Sequence, residues 1–360
     1  MKTLRLKVDP AHPDREDARS AIAQAAEILR RGGLVALPTE TVYGLGANAL
    51  DADAVARIFE AKQRPSWDPI IVHIAGPVAQ NPMLASLVMA IPSRVEDLTR
   101  VFWPGPLTLL LPRSNAVPDI VTAGRPLVGI RMPAHSVAWE LIHQAGVPVA
   151  APSANVFGHI SPTTAEHVLE DLDGRIDAVL DAGPTLHGVE STVLDPNQSP
   201  MMIYRPGAVT ADQIRQITGL VETLQEKILP DAAAREGLPS PGVGIRHYAP
   251  RARLILVEGT LADLPAALGV AAKPHEKRRL GVMLPSELAN VDFDTPLRAA
   301  ARFAWGRWSA PQELAEKLYA GLRALDTDSC EVILCPLPEP GGINDAIRDR
   351  LRKAAYIAQP

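Results

Sequence analysis

Short apolar runs that end in polar clusters recur along the first two thirds of this chain, and they restrict it to few folds. Leu34-Val35-Ala36-Leu37 reads as a buried strand. It runs directly into Pro38-Thr39-Glu40-Thr41-Val42-Tyr43-Gly44-Leu45-Gly46-Ala47-Asn48-Ala49. Pro38 fixes φ and removes a backbone donor. Thr39 and Thr41 supply hydroxyls and Glu40 a carboxylate, while Gly44 and Gly46 let backbone approach a ligand or shape the turn. Open α/β sheets place ligands at such strand ends. An ordinary strand-to-helix turn would read the same way.

The pattern repeats. Apolar residues Ala18, Ile22, Ala25, Ala26 and Leu29 at helical spacing predict a helix over 16–32. Asp51 or Asp53 is placed to cap a helix running to about Ala61. Strands are expected at 69–74, 107–111, 128–131, 147–151, 179–181, 191–194 and 202–205. Helices are expected at 93–102, at 136–145, and from Thr163 or Thr164 to Leu172. This mixture indicates an α/β or α+β domain whose sheet need not be all parallel. Residues 225–250 interrupt it, because Leu238-Pro239-Ser240-Pro241-Gly242-Val243-Gly244 can hold neither a helix nor a central strand. Beyond this linker, strands at 253–257, 280–284 and 332–334 alternate with helices at 260–269, 310–325 and 343–355. That alternation predicts a small parallel α/β domain.

With 360 residues the chain accommodates two domains, and 47% hydrophobic against 21% charged residues marks it as globular. The net charge of −5 argues against a protein held to nucleic acid by bulk charge, so no strong direct binding to nucleic acid is expected. No apolar segment follows the N-terminus and none approaches a membrane span, so a cytoplasmic protein is expected. Cys330 and Cys335 have no His or Cys neighbours suited to zinc or to a disulfide framework.

Five polar clusters could carry chemistry. Lys62-x-Arg64-Pro65, followed by His73, places two cations and an imidazole around one loop. This suits a polyphosphate or carboxylate, although a surface helix cap would look similar. Arg131 ends the apolar run Val128-Gly129-Ile130, and its planar fork suits a carboxylate or phosphate as well as a structural ion pair. Ala151-Pro152-Ser153-Ala154-Asn155, continuing to Ser161, ends a strand in small residues ahead of a helix N-terminus, which favours anions. The Gly-x-Ser-x-Gly elbow of a hydrolase nucleophile is absent. Glu190-Ser191-Thr192 and Arg205-Pro206-Gly207 put polar groups where a core strand should be apolar. Arg246-His247-Tyr248 closes the linker with more polarity than a tether needs. Hydroxyls, amides and cations without paired carboxylates fit a site that binds anions and stabilises developing charge.

Taken together, Pro38-Thr39-Glu40-Thr41-Val42-Tyr43-Gly44-Leu45-Gly46, Lys62-x-Arg64-Pro65, Phe102-Trp103-Pro104-Gly105-Pro106-Leu107-Thr108, Arg131-Met132-Pro133, Ala151–Asn155 and Glu190-Ser191-Thr192 resemble the YrdC family. The C-terminal extension resembles its longer, two-domain form. The resemblance implies a twisted, open, mixed α/β sheet enclosing a basic cavity over residues 1–210. A linker acting as an active-site lid would cover 211–250, and a smaller Rossmann-like parallel α/β domain 251–360.

It also implies synthesis of L-threonylcarbamoyladenylate from L-threonine, bicarbonate or CO₂, and ATP with Mg²⁺, releasing pyrophosphate. The product would pass to a tRNA threonylcarbamoyl transferase complex for modification of position 37 of ANN-decoding tRNAs. By the same resemblance, Thr41, His73, Arg131, Ala151 and Ser191 surround threonine. Arg64, Asp68, Leu127, Ser153, Asn155, Ser161, Arg205, Arg246 and His247 contact the nucleotide, with Lys62 on its phosphates. Lys62, Arg64 and Arg131 are the expected catalytic cations. Asp68 departs from the family's usual Asn, as a Mg²⁺ ligand or as the anchor of an Asx-turn. The rival readings are an RNA-binding factor and a carbamoyl transferase of the hydrogenase-maturation type. Few aromatics and the acidic balance oppose the first; the lack of Cys-x-x-Cys opposes the second.

Overall fold

The computed structural model describes residues 2–224 and 248–355. They divide into two compact units. The first runs to residue 224 except for 158–160 and 187–189, which group with the residues from 248 onward in the second.

The first unit is built on eleven strands: β1 (Leu4–Lys7), β2 (Val35–Leu37), β3 (Gly44–Asn48), β4 (Val72–His73), β5 (Leu107–Pro112), β6 (Leu127–Arg131), β7 (Val149–Ala150), β8 (Ala178–Asp181), β9 (Thr192–Asp195), β10 (Met201–Arg205) and β11 (Val221–Thr223). Their order across the sheet is β1-β8-β2-β3-β7-β4-β6-β5-β9-β10-β11. Parallel neighbours such as β4 and β6 alternate with antiparallel ones such as β5 and β6, so the sheet is mixed, as expected.

Local chemistry sets the helix ends. The Asp51 carboxylate accepts from the amides of Asp53 and Ala54 and starts the helix Ala52–Lys62; Gln63, left-handed at φ 53°, stops it. That stop turns the chain into Arg64-Pro65. Thr164 caps Ala165–Leu172, and His135 caps Ser136–Ala145.

Several elements differ from the sequence reading. Gly44 and Gly46 do not shape a turn. They lie in β3, which pairs antiparallel with β2 through Val35↔Gly46 and Leu37↔Gly44. A Cβ on Gly46 would come within 2.8 Å of the Val149 side chain and 2.9 Å of the Leu37 side chain, so close packing requires the glycine. The strand expected over 69–74 shrinks to Val72–His73, since the Ile70 amide bonds the Val121 carbonyl outside the ladder. Strand β1 was not anticipated. Residues 211–223, read as the start of the linker, fold as a helix (Ala211–Thr218) with a Thr210–Gln213 capping box, followed by β11, which pairs with β10.

The second unit holds β12 (Arg253–Val257), β13 (Leu280–Pro285), β14 (Ala301–Gly306) and β15 (Val332–Pro336) in the order β12-β15-β13-β14, all parallel. Three of these strands were expected. β14, with its exposed Arg302 and Ala304, was not. Among the described residues no helix is long and apolar enough to cross a membrane.

Candidate active site

Alternate residues of a strand share one face of the sheet. The registers Val72↔Ile130, Leu109↔Ile130 and Ile203↔Leu194 put Val72, Leu109, Ile130 and Leu194 on one side, where they join the main apolar core. The registers His73↔Arg131, Thr108↔Val193 and Arg205↔Val193 put His73, Arg131, Thr108 and Arg205 on the opposite side. Gly129 is the floor of this second face: a Cβ there would meet Thr108 at 3.3 Å and Ile71 and Leu110 at 3.5 Å. A sheet face that is apolar on one side and carries two buried arginines and a buried histidine on the other is costly for stability alone. The partners of those groups therefore define what the face can do.

Arg131, 4% exposed, is held at three points. Its Nε donates to the Gly105 carbonyl (3.2 Å) and Nη1 to the Thr41 hydroxyl (2.9 Å), while Nη2 lies 2.6 Å from Glu40 Oε1. That ion pair is close, yet too poorly aligned to count as a hydrogen bond for either partner. A guanidinium has five N–H donors; with Nε on Gly105 and one N–H of Nη1 on Thr41, three are left over, one on Nη1 and two on Nη2, the latter facing Glu40. Burial pushes the Glu40 carboxyl up, but Arg131 outweighs it and keeps the group below its ordinary value. Thr41 also shares a 2.8 Å hydrogen bond with Thr39. His73, paired in register with Arg131, is driven down to about 3 by burial and then by the neighbouring guanidinium, so its imidazole is neutral. Its Nδ1 has no hydrogen-bond partner. Ala151 continues from β7 beside it, its amide on the Ile71 carbonyl at 2.9 Å.

A second group lies one strand pair away. The Ser191 hydroxyl shares a 2.8 Å hydrogen bond with Thr108 and accepts from Arg205 Nη2 at 3.1 Å. Arg205 also donates to the Ser191 carbonyl through Nε (3.1 Å) and Nη2 (2.9 Å). Leu127, the first residue of β6, packs with Tyr204 against a small apolar cluster of Ile71, Leu110 and Val193 on the same face.

The loop after β7 is held by Lys62. Its ammonium, 1% exposed, donates to the carbonyls of Ser153 (2.6 Å) and Asn155. Burial, reinforced by Arg64, lowers the lysine well below its usual value, with Asp171 and Asp68 opposing. Ser153 bridges to Gly44, and the Asn155 side chain donates to the Val156 carbonyl. Arg64 donates to the carbonyls of Asp68 and Pro69 and pairs with the Asp68 carboxylate at 2.9 Å; its guanidinium lies 5.9 Å from the centre of the Phe157 ring. Asp68 is 1% exposed, and neither carboxylate oxygen accepts a well-formed hydrogen bond. The expected Asx-turn is therefore not what Asp68 makes. Burial raises its pKa against the pull of Arg64, Lys62, Arg125 and Arg205. Ser161 donates to the buried Glu190 carboxylate at 2.7 Å. Arg246 and His247, and most of the expected lid, lie outside the described residues.

The structure thus gathers Thr41, His73 and Arg131 in one group, Ser191 and Arg205 in a second, and Lys62, Ser153 and Asn155 in a third. Sequence reasoning gave no role to Glu40, Thr108 or Arg125. Glu40 and Thr108 sit inside quoted motifs, but their roles depend on partners 91 and 83 residues away. Arg125 donates to the Trp67 carbonyl at 3.2 Å and adds to the positive field on Asp68.

Comparison with known proteins gives this arrangement a context. A family model described as "Telomere recombination" matches residues 27–207, and one described as "Threonylcarbamoyl-AMP synthase, C-terminal domain" matches residues 209–356. The chain is 42% identical over 335 residues to a threonylcarbamoyl-AMP synthase of Pyrococcus abyssi, covering 92% of this chain and 93% of the relative. It is 43% identical over 337 residues to the Bacillus subtilis protein of the same name, covering 93% and 92%. A crystal structure of P. abyssi Sua5 complexed with L-threonine matches with a TM-score of 0.86 at 39% identity, over 99% of this chain and 98% of that one. On both its family-model matches and its full-length relatives, the chain belongs to the Sua5–YciO–YrdC family in its two-domain form.

Proposed function

We propose that this chain is an L-threonylcarbamoyladenylate synthase, joining L-threonine, CO₂ or bicarbonate, and ATP with release of pyrophosphate. The observation that carries the reading is the buried polar face on which Arg131, Thr41 and His73 converge, in a chain whose full-length relatives bear that synthase name.

The threonine ammonium loses a proton to water, and the free amine captures CO₂ as a carbamate with release of a second proton to water. A carbamate oxygen then attacks the α-phosphorus of ATP in line, expelling pyrophosphate. Two anions must be held together, so orientation and charge compensation are the main tasks. Arg131 anchors the threonine carboxylate with the N–H groups that Thr41 and Gly105 leave over. The Thr41 and Ser191 hydroxyls read the substrate hydroxyl and amine, beside the neutral His73 and the Ala151 backbone. Arg64 and Arg205 supply positive charge to the triphosphate, with Leu127 and Ser161 around the nucleotide. Lys62 contributes there by fixing the Ser153–Asn155 loop.

Magnesium bound with a nucleotide needs only one or two protein carboxylates. Asp68, whose oxygens accept no well-formed hydrogen bond, fits that demand, and no cluster of three or more metal-ligating side chains occurs among the described residues. The ion would neutralise triphosphate charge. The product is a donor for tRNA modification by a downstream transferase, and the chain works in the cytoplasm.

The test is incubation with ATP, threonine and bicarbonate. Threonine-dependent pyrophosphate and a threonine-containing adenylate support the reading; RNA-stimulated binding without pyrophosphate would replace it with an RNA-binding role.

A further inference from the structure

Glu40 touches no substrate in the reading above, yet among the described residues it is the carboxylate paired with Arg131. The pair is buried on both sides, at 3% and 4% side-chain exposure, and 2.6 Å apart. A buried carboxylate beside an anion-binding arginine is costly if the site has only to attract anions. It repels the incoming carboxylate and competes for the guanidinium. It becomes useful if the site has to choose among anions.

The charges around Arg131 show how. His73 is neutral, and Thr39, Thr41 and the Gly105 carbonyl carry no charge, so Glu40 balances Arg131. The part of the threonine subsite around Arg131, where the substrate carboxylate is placed, therefore carries no net charge. A zwitterion enters such a subsite without leaving an unbalanced charge, because its ammonium offsets the charge that its carboxylate brings. A simple carboxylate anion does not. Glu40 also draws the third corner of the guanidinium, Nη2, toward itself by charge, after Gly105 and Thr41 have taken Nε and Nη1. The plane of the fork, and so the direction of the N–H groups left for substrate, depends on it.

We propose that Glu40 is a positioning and specificity residue: it orients Arg131 and balances its charge, so that the subsite selects an amino-acid zwitterion over a carboxylate lacking the amine. The inference rests on the threonine reading of the same site. Its probe is 3-hydroxybutyrate, which is threonine without the α-amino group.

The experiment uses the full chain and follows pyrophosphate release at saturating ATP and bicarbonate. In the wild type, 3-hydroxybutyrate competes with threonine at least about tenfold more weakly than threonine's own KM. Glu40→Gln keeps the shape and removes the charge. The threonine KM should then rise while 3-hydroxybutyrate inhibits more tightly, moving the ratio of inhibition constant to KM by about tenfold or more. A merely structural role would weaken both ligands together and leave the ratio where it was, and that result overturns the proposal. Glu40→Asp retains the charge and shifts its position. It should raise the threonine KM with the ratio preserved, and it carries the test if Glu40→Gln does not fold; a ratio that collapses in Glu40→Asp also overturns the proposal. A wild type that makes no threonine-dependent pyrophosphate would defeat the underlying reading instead.

Discussion

Arg205 grips Ser191 at two atoms, reaching its carbonyl through Nε at 3.1 Å and Nη2 at 2.9 Å, and its hydroxyl through Nη2 at 3.1 Å. The same hydroxyl meets Thr108 at 2.8 Å. One serine thus ties β5, β9 and β10 together on the polar face. Its hydroxyl is therefore presented in a fixed direction.

Ser191→Ala removes that hydroxyl and leaves Arg205 and Thr108 each short of a bond. Stability should fall by about 1–2 kcal/mol in urea titration. The threonine KM should rise more than the ATP KM. A variant with unchanged stability would show that the Thr108–Ser191–Arg205 chain is not formed in solution.

Arg131→Ala should raise the threonine KM sharply while ATP affinity stays nearly intact. Arg131→Lys should fall between, since an ammonium cannot serve Gly105, Thr41 and Glu40 with one planar fork. Equal loss of threonine and ATP affinity would remove Arg131 from its assigned place.

His73 makes stability depend on pH. Its folded value, about 3, lies below the ordinary 6.5, so between these limits the unfolded chain binds a proton that the folded chain does not. The stability that His73 contributes is fully present above pH 6.5 and falls with acidification until the folded group itself titrates. The contribution to the slope approaches about 1.4 kcal/mol per pH unit. Urea titrations of wild type and His73→Gln between pH 7 and 4.5 should differ by that one-proton slope, the variant being the flatter.

Two glycines separate packing from binding. Gly46→Ala pushes a methyl to 2.8 Å from the Val149 side chain and 2.9 Å from the Leu37 side chain, and should cost about 1–3 kcal/mol of stability. Gly129→Ala meets Thr108 at 3.3 Å, which a small shift can absorb, so stability should change by under about 1 kcal/mol. It raises the floor of the polar face, however, and substrate KM values should rise. Thermal melts and steady-state kinetics on both variants check the contrast.

Where periodicity and end signals were strong, the fold was legible in the sequence. Asp51, Thr164 and the stretch 136–145 mark helices at their observed places. The misses have local causes. Gly44–Asn48 carries two glycines and looks like a turn until β2 pairs with it. Leu4–Lys7 and Ala301–Gly306 are strands at the edges of their sheets, with exposed residues that blur the alternation. The polar site residues stood out because polar groups interrupt apolar strands at Arg131, Ser191 and Arg205. Their shared face did not, since it depends on pairings such as His73↔Arg131 and Thr108↔Val193 between segments far apart in sequence. Glu40 lacked a role for the same reason.

The most direct test of the account follows carbon. Isotopically labelled bicarbonate, ATP and threonine are mixed with the protein, and the nucleotide products are separated. The account predicts label in an adenylate that also contains threonine, with one pyrophosphate released per labelled product and none without threonine. Pyrophosphate released without threonine, or an adenylate free of label, would contradict it.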